Sequence, residues 1–229
     1  MNLLLTTPPL TVYEQMALDE TLVQERAEDV TLRFYRWTDG PAVTFGYAQN
    51  WREVLRLLPS PCAYTRRPTG GGVVFHTDDL TFSLIFKAEG RPSEIYRKLH
   101  FFILDELKKS GEKELLLEGS VPKSSYLPST PQGASACFIR PVENDVLLPD
   151  GHKILGGAIR RFGTTVLYQG SLQLPCARNN PVYKRAITQA VRLFLMTDLS
   201  VRAVSAEQLA CAREKAKNVY ETTAWKEKF

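Results

Sequence analysis

The sequence is short of the residues that most often announce a chemistry. Its three histidines (His76, His100, His152) and four cysteines (Cys62, Cys137, Cys176, Cys211) lie far apart, with no Cys-x-x-Cys pair and so no zinc-ligand spacing. Excess charge is equally thin. Across 229 residues, 29 Lys and Arg stand against 25 Asp and Glu, a net +4 too dispersed to argue for nucleic acid. It is enough to favour an acidic partner by steering. No apolar run approaches the roughly 20 residues that cross a bilayer. The start, Met1-Asn-Leu-Leu-Leu-Thr-Thr-Pro-Pro9, lacks the basic region and the length of a signal peptide. No membrane partner is expected, and a cytoplasmic location with reduced thiols is the default. Gly-x-Ser-x-Gly, Walker and His-Glu-x-x-His motifs are all missing.

What remains is an ordinary globular composition, 44% hydrophobic and 24% charged. The length suits one large domain or two small ones. Thr11-Val-Tyr-Glu14 reads as a capping box opening a helix to about Arg26. Strands follow at Thr31–Trp37 and Ala42–Gly46, joined by a turn at Asp39-Gly40-Pro41. Trp51–Leu58 reads as a short helix, and Ala63–Arg66, Val73–Phe75 and Leu80–Phe86 as strands. Ser93–Lys109 is the clearest helix, with Ile95, Leu99, Phe102, Ile103 and Leu107 on one face. Residues 118–134 are rich in proline and serine, without a period, and read as a mobile active-site loop or a disordered insertion.

Strands are expected again at Cys137–Ile139, Asp145–Leu148, Lys153–Arg160 and Thr164–Leu174. The last alternates, Val166, Tyr168, Leu172 and Leu174 against Thr165, Gln169, Ser171 and Gln173, as a half-buried strand does. Asn180-Pro181 starts a helix with Val182, Ala186, Ala190 and Leu193 inward. Ser205-Ala-Glu-Gln208 caps a final helix to about Tyr220.

Two stretches carry candidate chemistry. In Arg66-Arg-Pro-Thr-Gly-Gly-Gly-Val-Val-Phe-His76, the glycines Gly70, Gly71 and Gly72 give up strand stability. They suit a backbone that must come close to something, with Arg66 and Arg67 as fixed cations beside it. A glycine bulge with solvated arginines explains the same residues. In Gly151-His-Lys-Ile-Leu-Gly-Gly-Ala-Ile-Arg160, Lys153 precedes the small residues Gly156, Gly157 and Ala158. Two small-residue strands with cations nearby can wall one slot. Cys137 is either a buried structural thiol or a nucleophile activated by a nearby cation. His76 suits a structural or a site role equally, and Cys62, Cys176 and Cys211 read as structural.

Together these stretches resemble the lipoate–protein ligase and octanoyltransferase family. The resemblance rests on Arg66–His76, Asp145, Lys153-Ile-Leu-Gly-Gly-Ala158 and Gln169-Gly-Ser-Leu172. Met16-Ala-Leu-Asp-Glu20, Leu32-Arg-Phe-Tyr-Arg-Trp37 and Val43-Thr-Phe-Gly-Tyr-Ala-Gln49 support it. It runs from about Glu14 to Leu174, and more weakly to Trp225. It implies a single α/β domain, a central mixed sheet flanked by helices, shared with biotin ligases and the class II synthetase core.

Within the family, Thr77-Asp-Asp-Leu-Thr-Phe-Ser83 and Cys137-Phe138 are similar to the cysteine-dependent octanoyltransferases. The ligase branch typically carries an Asp-x-Gly-Asn segment after the histidine and a C-terminal accessory domain. The branch with its cysteine after the Gly-Ser-Leu strand fits less well, because Cys176 lies too close to that strand. The resemblance thus implies octanoyl transfer from an acyl-carrier-protein thioester to a lysine of an apo lipoyl domain, with no cofactor and no metal. Cys137 and Lys153 would be catalytic. Arg66, Arg67, Gly70, Gly71, Gly72, His76, Asp145, Gly156, Gly157 and Ala158 would bind substrate. Two alternatives stand beside it: a ligase that uses ATP and Mg through an acyl-adenylate, bound by Arg66 and Arg67, and a non-catalytic acyl or lipoyl-domain binder.

Overall fold

The structure, a computed structural model, describes residues 1–25, 28–38, 40–119 and 142–229. Cys137, the strand expected at Cys137–Ile139, most of the 118–134 loop and Asp39 of the expected turn lie outside the described residues.

The chain opens with strand β1 (Asn2–Thr6) and helix α1 (Val12–Glu25). The Thr11 capping box forms in both directions: Glu14 N–H donates to Thr11 Oγ1 (3.2 Å) and Thr11 N–H to Glu14 Oε2 (2.9 Å). Strands β2 (Val30–Phe34) and β3 (Ala42–Phe45) follow, then helix α2 (Trp51–Leu55) and strands β4 (Ala63–Arg66), β5 (Val73–His76) and β6 (Leu80–Lys87). Helix α3 (Pro92–Lys109) leads to strands β7 (Leu116–Leu117), β8 (Val146–Leu147), β9 (Lys153–Phe162) and β10 (Thr165–Leu172). Helix α4 (Pro181–Leu195), strand β11 (Ser200–Ala203), helix α5 (Ala206–Lys215, widening to a π turn over Ala216–Tyr220) and helix α6 (Thr223–Lys226) complete it.

Eight strands form one sheet in the order β11-β1-β2-β6-β10-β9-β8-β7, and β4-β3-β5 form a second. β1 runs parallel to β2 and β11, while the other pairs of the large sheet are antiparallel. The expected mixed sheet flanked by helices is therefore present. The hairpin expected between β2 and β3 is not. β2 pairs with β1 and β6, and β3 pairs with β4 and β5, so the two strands belong to different sheets.

Helices α3 and α4 cover one face of the large sheet, packing over Leu32, Phe82, Leu84, Phe86, Val166 and Tyr168. Helices α1 and α5 cover the other over Leu5, Ile85 and Leu167. In α4 the inward residues are Tyr183, Ala186, Ile187, Ala190 and Val191. Leu193, expected inward, is exposed, because the buried stripe runs one residue ahead of it. β10 is buried along its whole length rather than on one face. It sits centrally between β6 and β9, and its polar face meets buried hydrogen-bond partners instead of water.

Candidate active site

Lys153 begins β9 at a register shift against β8, where Val146 faces Leu155 and Leu147 faces Lys153. Its ammonium is buried and forms an ion pair with the buried Asp145 carboxylate, Nζ to Oδ2 2.8 Å. A buried pair persists only when the remaining lone pairs are also satisfied. Tyr96 Oη donates to Asp145 Oδ1 (2.5 Å) and the Val142 N–H to Oδ2 (2.7 Å). Tyr96 Oη in turn accepts the Gly157 N–H (3.0 Å), which ties the pair to the glycine strand. Burial pushes the Asp145 carboxyl up, although Lys153 and the bonds from Lys153 and Tyr96 pull the other way.

Gly156 is what leaves room for the lysine. A Cβ there would lie 2.0 Å from Lys153 Cε, and one on Gly157 would lie 2.4 Å from the Tyr168 ring. Below the pair, His100 is fully buried, with Nδ1 2.8 Å from the Asn144 carbonyl and Nε2 2.8 Å from Tyr168 Oη. A carbonyl only accepts, so Nδ1 carries the hydrogen and Nε2 takes one from Tyr168. Burial, then the charge of Lys153, lowers its pKa to about 3, against a small opposing pull from the Asn144 carbonyl.

The glycine turn makes its close approach to the protein's own backbone. Gly71 has φ of +89°, and a Cβ on Gly46 would sit 1.8 Å from the Gly71 oxygen. Arg66 and Arg67 divide the work. Arg66 is fully buried and donates only to carbonyls: Nε to Trp225 (3.1 Å), Nη1 to Tyr47 (2.6 Å) and Gln49 (2.8 Å), and Nη2 to Lys226 (2.8 Å). It pins the segment after β3 to the chain's last residues and does not line the cleft, so the geometry gives it no anionic substrate. Arg67 donates to Gly70 O (2.8 Å), Gly72 O (2.9 Å) and Thr44 Oγ1 (3.0 Å) and does line the cleft.

That cleft runs between the two sheets. Gly156, Gly157 and Ala158 of β9 with Gln169, Gly170 and Ser171 of β10 form one wall, and Thr44, Val74, His76 and Arg67 the other. Its open volume is about 30 Å³, room for a water molecule or two. Of the two small-residue stretches expected to wall a slot, only Gly156–Ala158 does so; Gly70, Gly71 and Gly72 do not line it, and Gly70 and Gly72 act on it through their carbonyls, which hold Arg67. His76 lies in a buried cluster, Nδ1 to Asp79 Oδ2 2.9 Å and Nε2 to Thr44 Oγ1 2.8 Å, its ring stacked on Trp37. Thr81 and Ser171 hydroxyls also donate to Asp79 Oδ2, each at 2.6 Å. Burial would raise the Asp79 carboxyl, but the charge and bond of His76 and these hydroxyls together hold it down at about 2.

A further network went unseen in the sequence. Asp19 of α1 receives Arg33 Nε (2.7 Å), Ser83 Oγ (2.7 Å), Gln169 Nε2 (2.7 Å) and the Tyr35 hydroxyl, all buried. Thr69 Oγ1 donates to Gln169 Oε1 (2.6 Å), so this network anchors the glycine turn to β10. Its sequence signal was Arg33, the one charge in the strand Val30–Phe34; Asp19 stands among other acids of α1 and gave none. Tyr96 and His100 were also missed. Their signal was an i, i+4 polar pair bordering the buried stripe of α3. Among the described residues no cluster of His, Cys, Asp or Glu could hold a metal, and no helix is long and apolar enough to cross a membrane.

The large mixed sheet with a small second sheet beside it makes this a lipoate-ligase-type α/β fold, which solved structures share. The bipartite lipoate protein ligase from Thermoplasma acidophilum superposes at TM-score 0.73 with 20% identity, over 99% of this chain and 95% of that one. A lipoate-protein ligase A bound with ATP gives 0.76 at 20% identity, over 99% and 98%. Residues 11–190 match the lipoyl protein ligase A/B catalytic domain, and the chain belongs to that family. Among curated relatives, octanoyltransferase LipM of Carboxydothermus hydrogenoformans is 33% identical over 172 residues, 69% of this chain and 60% of the relative. That of Oceanobacillus iheyensis is 34% identical over 167 residues, 69% and 59%. The chain thus spans about three-fifths of the length of the curated relatives it matches.

Proposed function

We propose that this protein transfers an octanoyl group from an acyl-carrier-protein thioester to a lysine of an apo lipoyl domain. The observation that carries the reading is the Lys153–Asp145 ion pair folded over Gly156 at the cleft wall. It sits in a chain similar to proteins named octanoyltransferase LipM. An ammonium held against a bare backbone is a preorganised donor for a carbonyl oxygen that becomes negative during acyl transfer. Asp145 and Tyr96 keep it from swinging away.

In this reading Cys137 attacks the donor thioester. Exchange of one thioester for another is near thermoneutral, so ATP is not required. The acceptor amine then converts the thioester to an amide, which is downhill. Splitting the transfer in two lets the donor and acceptor proteins bind in turn. Arg67, Gly156, Gly157 and Ala158 bound the path of the acyl chain, and the slot widens to admit it. Arg66 serves the scaffold.

The test is to incubate the protein with octanoyl-carrier protein and an apo lipoyl domain, with and without ATP and Mg, and to follow the mass of the lipoyl domain. The reading expects octanoyl addition that ATP does not alter. Addition only from free acid and only with ATP would favour an adenylating ligase, and no addition under either condition a binding protein.

A further inference from the structure

Between helix α4 and strands β1 and β2 lies a groove of about 470 Å³ that the acyl-transfer steps above leave unused. Leu4 and Phe34, both half-buried, form its floor, and Lys184, Arg185 and Arg192 of α4 line its side. We propose that the acyl-carrier donor docks here, laying an acidic amphipathic helix into the groove while its acyl-bearing arm reaches the cleft. The inference rests on the acyl-transfer reading and names the surface that recognises its donor protein.

The charge of the groove is one-sided. Among the described residues none of the three cations forms an ion pair, and no acid lines the groove. Arg192 is poorly satisfied: its Nε is buried without a hydrogen-bond partner, and its Nη2 reaches the Leu199 carbonyl only at 3.5 Å. Such a guanidinium offers a planar fork to a carboxylate. Lys184 and Arg192 stand about 12 Å apart along α4, a span over which a facing helix presents acids on successive turns.

The apolar floor extends outward. Leu4 pairs with Val201 of β11, so the two share a face of the sheet. Val201 is 70% exposed, and β11 is the edge strand. An apolar floor beside like charges suits a helix whose apolar stripe is bordered by acids. A second copy of this chain fits poorly, because a two-fold contact sets a patch against itself and would bring these cations together.

Position separates donor from acceptor. Phe34 ends β2 and pairs with Phe82 near the start of β6, which pairs in turn with Gly170 of the cleft wall near the end of β10. Groove and cleft therefore lie at the same end of the sheet, with Phe34 and Gly170 two strands or about 10 Å apart. They occupy opposite faces: Phe34 packs with Phe82 and Tyr168 on the α4 side, and Gln169 and Ser171 line the cleft on the other. A lysine side chain has only four methylenes, so the acceptor domain must come to the cleft itself. The carrier holds its acyl group on a phosphopantetheine arm many bonds longer, which can round the end of the sheet while its protein stays on α4. Donor and acceptor then meet the chain on separate faces.

The test compares a donor that has its protein with one that lacks it. Transfer to apo lipoyl domain is measured from octanoyl-carrier protein and from octanoyl-pantetheine, using the unaltered protein, Arg185→Glu, and Lys184→Glu combined with Arg185→Glu. Binding of unacylated carrier protein is followed separately by fluorescence anisotropy. In the double variant KM for octanoyl-carrier protein should rise roughly 30-fold, with kcat within about threefold and carrier binding weakened to match. Its KM for octanoyl-pantetheine should stay within about twofold, which also shows that it folds. Arg185→Glu, at an exposed position, should give the same pattern more weakly. Added salt should weaken carrier binding to the unaltered protein more than to the double variant. Carrier KM and carrier binding unchanged in the double variant would overturn the proposal. So would a raised KM for the lipoyl domain alone, which assigns the groove to the acceptor, or an altered oligomeric state, which assigns it to a second copy. An unaltered protein that binds carrier through these cations but transfers nothing keeps the docking surface and overturns the transfer reading. One that neither binds carrier nor transfers overturns both.

Discussion

Lys153 lies across Gly156, so close that a Cβ on the glycine would fall 2.0 Å from Cε and 2.4 Å from Nζ. The lysine's place over the cleft wall therefore depends on a missing methyl group two residues beyond Ile154. Its neighbour Gly157 is bare for another reason, since a Cβ there would strike the Tyr168 ring 2.4 Å away.

The two glycines should accordingly fail in different ways. Gly156→Ala pushes aside the tip of a flexible side chain, and we expect a stability loss of about 1 kcal/mol with transfer reduced roughly 100-fold. Gly157→Ala meets a ring held by His100, and overpacking should lower stability by about 3 kcal/mol. Denaturant titration beside a transfer assay checks both. Full activity in Gly156→Ala would mean that the position of Lys153 over the strand is not required.

Arg66 should prove a structural residue despite its place beside the glycine turn. Arg66→Ala leaves the Tyr47, Gln49, Trp225 and Lys226 carbonyls without their donor. The expected cost is about 3 kcal/mol, and Arg66→Lys should recover little of it because a point charge cannot replace a planar fork. Chemical denaturation reads the loss directly. A variant of unchanged stability that binds substrate more weakly would reverse this assignment.

His100 gives stability a definite pH dependence. Unfolded, it gains a proton below its ordinary value of 6.5; folded, it resists until about 3. Between those values the unfolded chain binds more protons, so stability is full above 6.5 and declines as pH falls toward 3. At roughly 1.4 kcal/mol per unit, the loss from His100 by pH 5 is about 2 kcal/mol. Urea titrations at pH 5 and 7 on the unaltered protein and on His100→Gln measure it, the variant being expected to lose much of the slope. An equal slope in both proteins would contradict the account.

Local signals in the sequence were legible where a few neighbouring residues decide the outcome. The caps at Thr11, Asn180 and Ser205 form, because each needs only a side chain and the backbone of the next turn. The α3 stripe is buried at Ile95, Leu99, Ile103 and Leu107 for the same reason. β1 and β11 were missed. They pair in parallel with partners far along the chain; Leu3-Leu4-Leu5 gives no polar–apolar alternation in sequence, and Ser200–Ala203 is an exposed edge strand of only four residues. Arg66 and Arg67 look alike in sequence, and only the return of the chain end to Arg66 separates their roles. The Asp19–Arg33 network brings together residues from α1, β2, β6 and β10, which no local spacing relates.

The central claim is covalent acyl transfer, and the thioester at Cys137 tests it most directly. Protein mixed with octanoyl-carrier protein alone, without ATP, should gain the mass of one octanoyl group, and hydroxylamine should remove it. Peptide mapping should place the group on the peptide that contains Cys137, with Cys137→Ala losing both label and transfer and Cys176→Ala losing neither. A fully active Cys137→Ala protein that requires ATP would contradict the account and identify an adenylating ligase instead.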